Sequence, residues 1–291
     1  MAFPEAAEVF ERADAALGFR LSRLCFDGPA DELTLTQNAQ PALLAHGAAI
    51  WAVLRGTIGG DVVAAAGHSL GELSAYHAAG SMSLEDALRV VRRRGELMYE
   101  TGVKRPGTMA AILGDTNRPI EEICADATAE AGLVVPANYN SPGQVVISGE
   151  EAGVERAMAL CKEAGAKRAI RLNVSGAFHS PLMEPAVGGL AEALERTAFE
   201  DPHFPVYANV NAEPVTQAAR AKSLLLEQVS KPVRWSGEVS AITTRWPDAL
   251  YVEMGPGSVL VGLVKKIAPS VKTATCGTTA EVNALLEVLV S

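Results

Sequence analysis

A serine set between two glycines, in the run Gly67-His68-Ser69-Leu70-Gly71, constrains this chain more than any other stretch. The segment before it, DVVAAAG at 61–67, has the character of a short buried strand. The segment after it, GELSAYHAAG at 71–80, reads as a helix closed by Gly80. A G-x-S-x-G run on a strand-to-helix turn is a nucleophile elbow, in which the glycines allow a tight bend that lifts the serine Oγ above the sheet. The backbone N–H of Leu70 then starts a helix and faces the place where a reacting carbonyl oxygen would sit. The plainer reading, a serine N-cap, leaves Gly67 and Gly71 without a task. An elbow needs a sheet edged by helices, so an α/β architecture with a mainly parallel sheet is expected.

The rest of the chain fits that expectation and adds a second unit. Further strands are expected in 205–210 (PVYANV), 249–255 (ALYVEMG) and 272–276 (KTATC), and a closing amphipathic helix in 280–290. Residues 105–174 alternate differently. Strand-like 107–114, helical 118–132, strand-like 133–140, the NSPG turn, strand-like 144–149, helical 150–166 and strand-like 167–174 follow one another. That β-α-β-β-α-β order is the pattern of a ferredoxin-like unit. The expected domains are therefore 1–104 with 175–291, and 105–174 inserted between them.

Ser69 at its ordinary pKa needs a base. Of the five histidines, His46 and His77 fall in helical runs, His203 in a proline-flanked turn, and His68 too close to Ser69 on a sharp bend to face it. His179 ends the loop after the strand at 167–174, with Ser180 as N-cap and Pro181 at the first helical position. A helix N-terminus there disfavours imidazolium and keeps the ring a neutral base. No aspartate offers itself as a third member. Glu253 is the hydrolase-like candidate, and a carboxylate at a strand end or on the surface is an equal reading.

A helix over 84–99 opens with Ser83-Leu84-Glu85-Asp86, a capping box with Asp86 in the acidic place. Leu84, Ala87, Leu88, Val91, Leu97 and Met98 form its apolar stripe. Arg93 falls opposite that stripe and Arg92 on its flank, but Arg94 falls inside it. A cation on a buried face implies a carboxylate partner. Either an internal acid or a substrate carboxylate, clamped in bidentate fashion, serves; the second points to an acyl group ending in CO2−, such as malonyl.

Composition excludes several other classes. A formal net charge of −9 argues against bulk nucleic-acid binding. No membrane partner is expected, because no apolar run comes near the ~18 residues of a membrane span, and the acidic N-terminus is unlike a signal peptide. The four cysteines, Cys25, Cys124, Cys161 and Cys276, lack pairing or metal-ligand spacing and read as reduced core thiols of a cytoplasmic protein, with no metal site.

Several separate motifs together resemble the acyltransferase family of fatty acid and polyketide synthesis, that of the malonyl-CoA:acyl carrier protein transacylases. They are TQNAQPALLA (36–45), GHSLGE (67–72), RRGELM (93–98), NYNSPGQVVISG (138–149), GAFHSPLM (176–183), QVSKPVRW (228–235) and EMGPGSVLVGL (253–263). The resemblance implies a hydrolase-like α/β domain with a ferredoxin-like insertion. It implies that Ser69 carries the malonyl group, that His179 is the base, and that the backbone carbonyl of Gln228 orients the imidazole in place of a carboxylate. It matches Arg94 to the arginine that holds the malonyl carboxylate, Phe178 to the residue that fills the space of a 2-methyl group, and Asn140 to an asparagine near the site. The substrate implied is malonyl-CoA and the partner an acidic acyl carrier protein, for which Lys265, Lys266, Lys167 and Arg168 are the candidate basic surface; no cofactor is implied. The family's usual opening strand, ending PGQGSQ and supplying an oxyanion-hole glutamine, has no counterpart in this sequence, so either the given sequence starts after that strand or half of the hole is lacking. The alternatives are a serine thioesterase or esterase, or a catalytically impaired carrier-binding relative.

Overall fold

A computed structural model describes residues 2–290 as a mixed α/β protein. Its strands are β1 (Ala65–Ala66), β2 (Thr108–Leu113), β3 (Val134–Ser141), β4 (Gln144–Gly149), β5 (Arg168–Arg171), β6 (Val206–Tyr207), β7 (Pro214–Val215), β8 (Leu250–Glu253) and β9 (Lys272–Thr275).

The strands around the elbow are shorter than the sequence suggests, and they form two small sheets. β1 runs parallel to β6, with Ala65 opposite Val206 and Ala66 opposite Tyr207, and β6 runs antiparallel to β7. β8 and β9 form a separate parallel pair. β6 stops after Tyr207 because the next backbone groups turn elsewhere: Ala208 N–H donates to Glu213 O at 3.0 Å, and Asn209 N–H to the Glu72 carboxylate at 3.1 Å. Side chains take over where the ladder ends.

Two long helices carry the core beneath the elbow. Thr36–Ile58 buries Leu44, Ala45, Ala48 and Ala49 against Leu84–Lys104, which buries the expected stripe and extends five residues past the expected end. Ser83 caps the second helix by accepting from Asp86 N–H at 3.0 Å. The two backbones come unusually close at Gly95, where an added Cβ would lie 2.7 Å from the Gln37 Cα and 2.8 Å from the Thr36 carbonyl oxygen. Pro41, inside the first helix, has no N–H for the Gln37 carbonyl, which accepts instead from Arg92 Nη1 at 3.0 Å. Contrary to the sequence reading, Thr36–Ile58 is long and apolar enough to cross a membrane by length and composition. Its buried face is spent on this core.

Residues 108–171 run strand, helix, strand, strand, helix, strand. The four antiparallel strands take the order β3-β4-β2-β5, with the helices Ile120–Ala131 and Glu151–Glu163 joining them. Ile112, Ile123, Ala127, Ile147, Val154 and Cys161 fill the space between sheet and helices. β3 is tied to the segment before the helix Trp235–Arg245 by Tyr139 N–H to Val233 O and Val233 N–H to Ala137 O, both 2.9 Å.

Candidate active site

Ser69 stands at the N-cap of the helix Leu70–Ala78 with φ 55° and ψ −111°. A non-glycine residue held there costs of order 1–3 kcal/mol and persists only if its surroundings over-determine it. They do so here. Asn209 Oδ1 accepts from Ser69 N–H at 2.7 Å, Asn209 Nδ2 donates to Gly67 O at 2.8 Å, and Gln228 Nε2 donates to Ser69 O at 2.9 Å. Gly67 is sterically required, since a Cβ would lie 2.0 Å from the Gly71 carbonyl carbon and oxygen. Gly71 is not: a Cβ there would meet nothing within 4 Å, so only one of the two flanking glycines shapes the bend. Leu70 N–H has no hydrogen-bond partner among the described residues and heads the helix, the arrangement expected of an oxyanion donor. Gly80 ends that region with φ 81°.

His179 Nε2 lies 2.8 Å from Ser69 Oγ, and its Nδ1 lies 2.8 Å from the backbone carbonyl oxygen of Gln228. A carbonyl only accepts, so Nδ1 carries the proton and the Nε2 lone pair faces the hydroxyl. Burial, then the nearby positive charge of Arg94, pushes the imidazole pKa down to about 3. The ring stays neutral throughout the physiological range. His179 itself takes φ 56°, a second strained position that the sequence did not signal. The helix expected to begin at Pro181 is instead a 3-10 turn, Pro181–Met183, capped by Ser180, and the α-helix starts at Pro185.

Arg94 is 2 % exposed. Its Nη1 donates to Gln40 Oε1 at 2.6 Å, and its Nη2 to Gln228 Oε1 at 2.8 Å and Ser69 Oγ at 3.1 Å. Its Nε is buried and has no partner. Among the described residues no carboxylate lies within ion-pair distance, so the internal-acid alternative is not realised. Burial lowers its pKa to about 10 and Glu72 opposes that through space, which leaves a charged guanidinium held by neutral amides. Such a group can still receive an anion.

Phe178 is half-buried in the loop leading to His179, and Asn140 Oδ1 lies 2.8 Å from His68 Nε2, at one remove from Ser69. Glu253 belongs to neither side of the chemistry: its carboxylate accepts from Leu260 N–H at 3.0 Å and Val261 N–H at 2.7 Å, at the start of the helix Val259–Ile267. His46 and His77 bond backbone carbonyls, and His203 packs on Gly80. Lys265, Lys266, Lys167 and Arg168 are exposed.

Four buried polar residues escaped the sequence reading: Gln40, Glu72, Asn209 and Glu238. Glu72 Oε2 accepts from Gln228 Nε2 at 2.6 Å, and Glu238 accepts from Asn209 Nδ2 at 3.1 and 3.2 Å. Burial raises the Glu72 pKa to about 7 and that of Glu238 well above its ordinary value. A signal existed for two of them. Gln40 lies one turn before Leu44 and two before Ala48 on a buried face, and Glu72 one turn before Tyr76.

The acyl transferase domain family matches residues 2–283. The malonyl CoA-acyl carrier protein transacylase of Bacillus subtilis (strain 168) is 46% identical over 271 residues, which is 93% of this chain and 84% of that protein. Among solved structures, an acyl-carrier-protein-S-malonyltransferase from Bartonella henselae superposes with a TM-score of 0.93 at 42% identity, covering 100% of this chain and 93% of that one. A malonyl-transacylase in complex with its type II PKS acyl-carrier protein superposes with a TM-score of 0.92 at 41% identity, over 99% of this chain and 92% of that one.

Proposed function

This chain is a member of the acyl transferase domain family, and from that premise we propose that it transfers the malonyl group of malonyl-CoA to the phosphopantetheine thiol of acyl carrier protein, in fatty acid biosynthesis, through a malonyl ester on Ser69. One observation carries the reading. A neutral imidazole nitrogen at 2.8 Å and a charged guanidinium at 3.1 Å, with no carboxylate partner among the described residues, meet on a single serine hydroxyl. The first suits attack on a thioester, and the second suits an acyl group whose far end is a carboxylate.

In the first half-reaction the Ser69 hydroxyl gives its proton to His179 Nε2, and Oγ bonds to the malonyl carbonyl carbon. The oxyanion formed takes a hydrogen bond from Leu70 N–H. It collapses by breaking the C–S bond, and the coenzyme A sulfur leaves with the proton from His179. The second half-reaction reverses the roles. The carrier thiol gives its proton to His179, its sulfur attacks the ester carbon, and Ser69 Oγ leaves and recovers the proton. The Gln228 carbonyl holds Nδ1–H throughout, so the imidazolium stays aligned. Arg94 grips the malonyl carboxylate in both halves. Phe178 borders the space beside C2, and Asn140 steadies the elbow through His68. Acyl exchange between oxygen and sulfur changes no oxidation state, so the reading calls for no cofactor beyond the thioester that is itself the substrate.

The finer architecture belongs to the same proposal. The strand order β3-β4-β2-β5 supports a ferredoxin-like subdomain over 105–174. The elbow after β1 and the parallel β1–β6 pair support a hydrolase-like catalytic domain over 1–104 and 175–291. The exposed cations Lys265, Lys266, Lys167 and Arg168 are the surface offered to the acidic carrier, and the cytoplasm is the compartment proposed. Intact-mass spectrometry after mixing with malonyl-CoA tests the core of the reading. A malonyl adduct on Ser69, discharged by holo-carrier far faster than by water, is expected; rapid release of free malonate would make the protein a thioesterase instead, and no adduct at all would refute both.

A further inference from the structure

We propose that Asn209 is a positioning residue for the nucleophile: its side-chain amide replaces the neighbouring strand at the elbow and holds Ser69 in the strained conformation that aims Oγ at His179. The register makes the case. β1 pairs in parallel with β6 up to Ala66 opposite Tyr207, so continued pairing would set Asn209 opposite His68. In a parallel ladder, the residue opposite His68 would use its backbone to donate to Gly67 C=O and accept from Ser69 N–H, the groups flanking His68. The Asn209 backbone does neither. Its N–H goes to Glu72 at 3.1 Å, and its C=O accepts from Arg234 N–H at 2.8 Å. Its side chain makes both ladder bonds instead, 2.8 Å to Gly67 O and 2.7 Å from Ser69 N–H.

The swap has a geometric reason. A regular ladder would require extended backbone at Ser69, whereas Ser69 sits at φ 55°. A short side-chain amide can follow the bend that a straight strand cannot. Which end of the amide faces which group is also settled. Glu238 can accept from Nδ2 at 3.1 and 3.2 Å, and Gln228 Nε2 donates to Oδ1 at 3.2 Å, so a flipped amide would lose all five contacts. Asn209 is 0 % exposed and uses every donor and acceptor position of its side chain. Without it Ser69 is free to relax toward an ordinary conformation, carrying Oγ away from the imidazole.

This rests on Ser69 being the acylated residue, but not on which acyl group it takes. Asn209→Ala in the full chain is expected to lower kcat for Ser69 acylation about 10²-fold, the scale of a small misplacement of a reacting group, equally for malonyl-CoA and acetyl-CoA, with KM little changed. Inactivation by a sulfonyl fluoride, which needs no coenzyme A site, should slow in parallel. A rate per folded molecule within about threefold of the parent, the scatter expected of a residue with no catalytic bearing, overturns the proposal. If the variant does not fold, hydrogen exchange of the parent chain decides: Ser69 N–H is expected to exchange only on global unfolding, and fast exchange of that amide overturns the proposal. If the parent chain shows no malonyl adduct yet reacts with the sulfonyl fluoride, the reading of function fails while the role of Asn209 remains measurable.

Discussion

Replacing Arg94 by alanine separates recognition of the acyl group from the chemistry of transfer. The guanidinium is buried, and its pKa of about 10 leaves it charged at neutral pH. Without it, the malonyl carboxylate would enter a site whose remaining neighbours, Gln40 Oε1 and Gln228 Oε1, are acceptors that repel it. Deleting one partner of a buried charge pair typically costs about 3–5 kcal/mol. At 1.36 kcal/mol per decade, kcat/KM for malonyl-CoA should therefore fall about 10²–10⁴-fold. Acetyl-CoA has no carboxylate to strand. For it the change removes only the 3.1 Å bond from Nη2 to Ser69 Oγ, and the rate should stay within about tenfold, the scale of one modest hydrogen bond. The two amide oxygens left without donors would lower stability by about 1–3 kcal/mol each, so rates must be normalised to the folded fraction. Rapid-quench intact-mass measurement of Ser69 acylation with each thioester reads both numbers. Equal losses for the two acyl groups would make Arg94 a structural residue and sink the assignment of malonyl.

Two further expectations follow from the elbow and the base. Because His179 stays neutral down to about pH 3 in the folded protein, kcat/KM for acylation in a Glu72→Gln variant, which removes the neighbouring carboxyl whose pKa is about 7, should remain flat between about pH 8 and 5; a half-maximum near 6.5 in that variant would contradict the buried, neutral base. The linkage has the matching sign. The unfolded chain takes up this proton below about pH 6.5 and the folded one does not, so the contribution is complete above that value and is lost as pH falls toward 3, which a series of urea titrations would trace. Gly67→Ala, whose Cβ would sit 2.0 Å from the Gly71 carbonyl, should destabilise by about 3 kcal/mol or more. Gly71→Ala, which meets nothing within 4 Å, should melt with the parent; similar melting temperatures for the two variants would refute the steric account of the bend.

Much of this was legible in the sequence where the periodicity was clean. The strand and helix order over 108–171 was readable because alternation by two and by 3.6 switched sharply at each turn. Ser69 was marked by its glycines, Arg94 by standing in an apolar stripe, and His179 by lying next to a helix start. The remainder depended on contacts between residues far apart in the chain. Asn209 lies 140 residues from Ser69, and Gln228 lies 134 from Arg94. Nothing local distinguishes a buried Asn209 or Glu238 from a solvated one. The short strands have the same origin: β6 was expected to run to Val210, but at Asn209 the ladder passes to a side chain. Glu253 read equally well as a catalytic acid or a strand-end cap, and only the positions of Leu260 N–H and Val261 N–H decide for the cap.

Gly95 gives the proposed discrimination between acyl groups a mechanical footing. Because the two long helices touch backbone to backbone beside Arg94, the cation is mounted at a close-packed junction that limits how far it can follow a shorter or longer guest. On the proposed reading the gap between the two helices sets the measure of the acyl group, and substitutions that wedge it open should blur the choice of cargo before they slow its delivery.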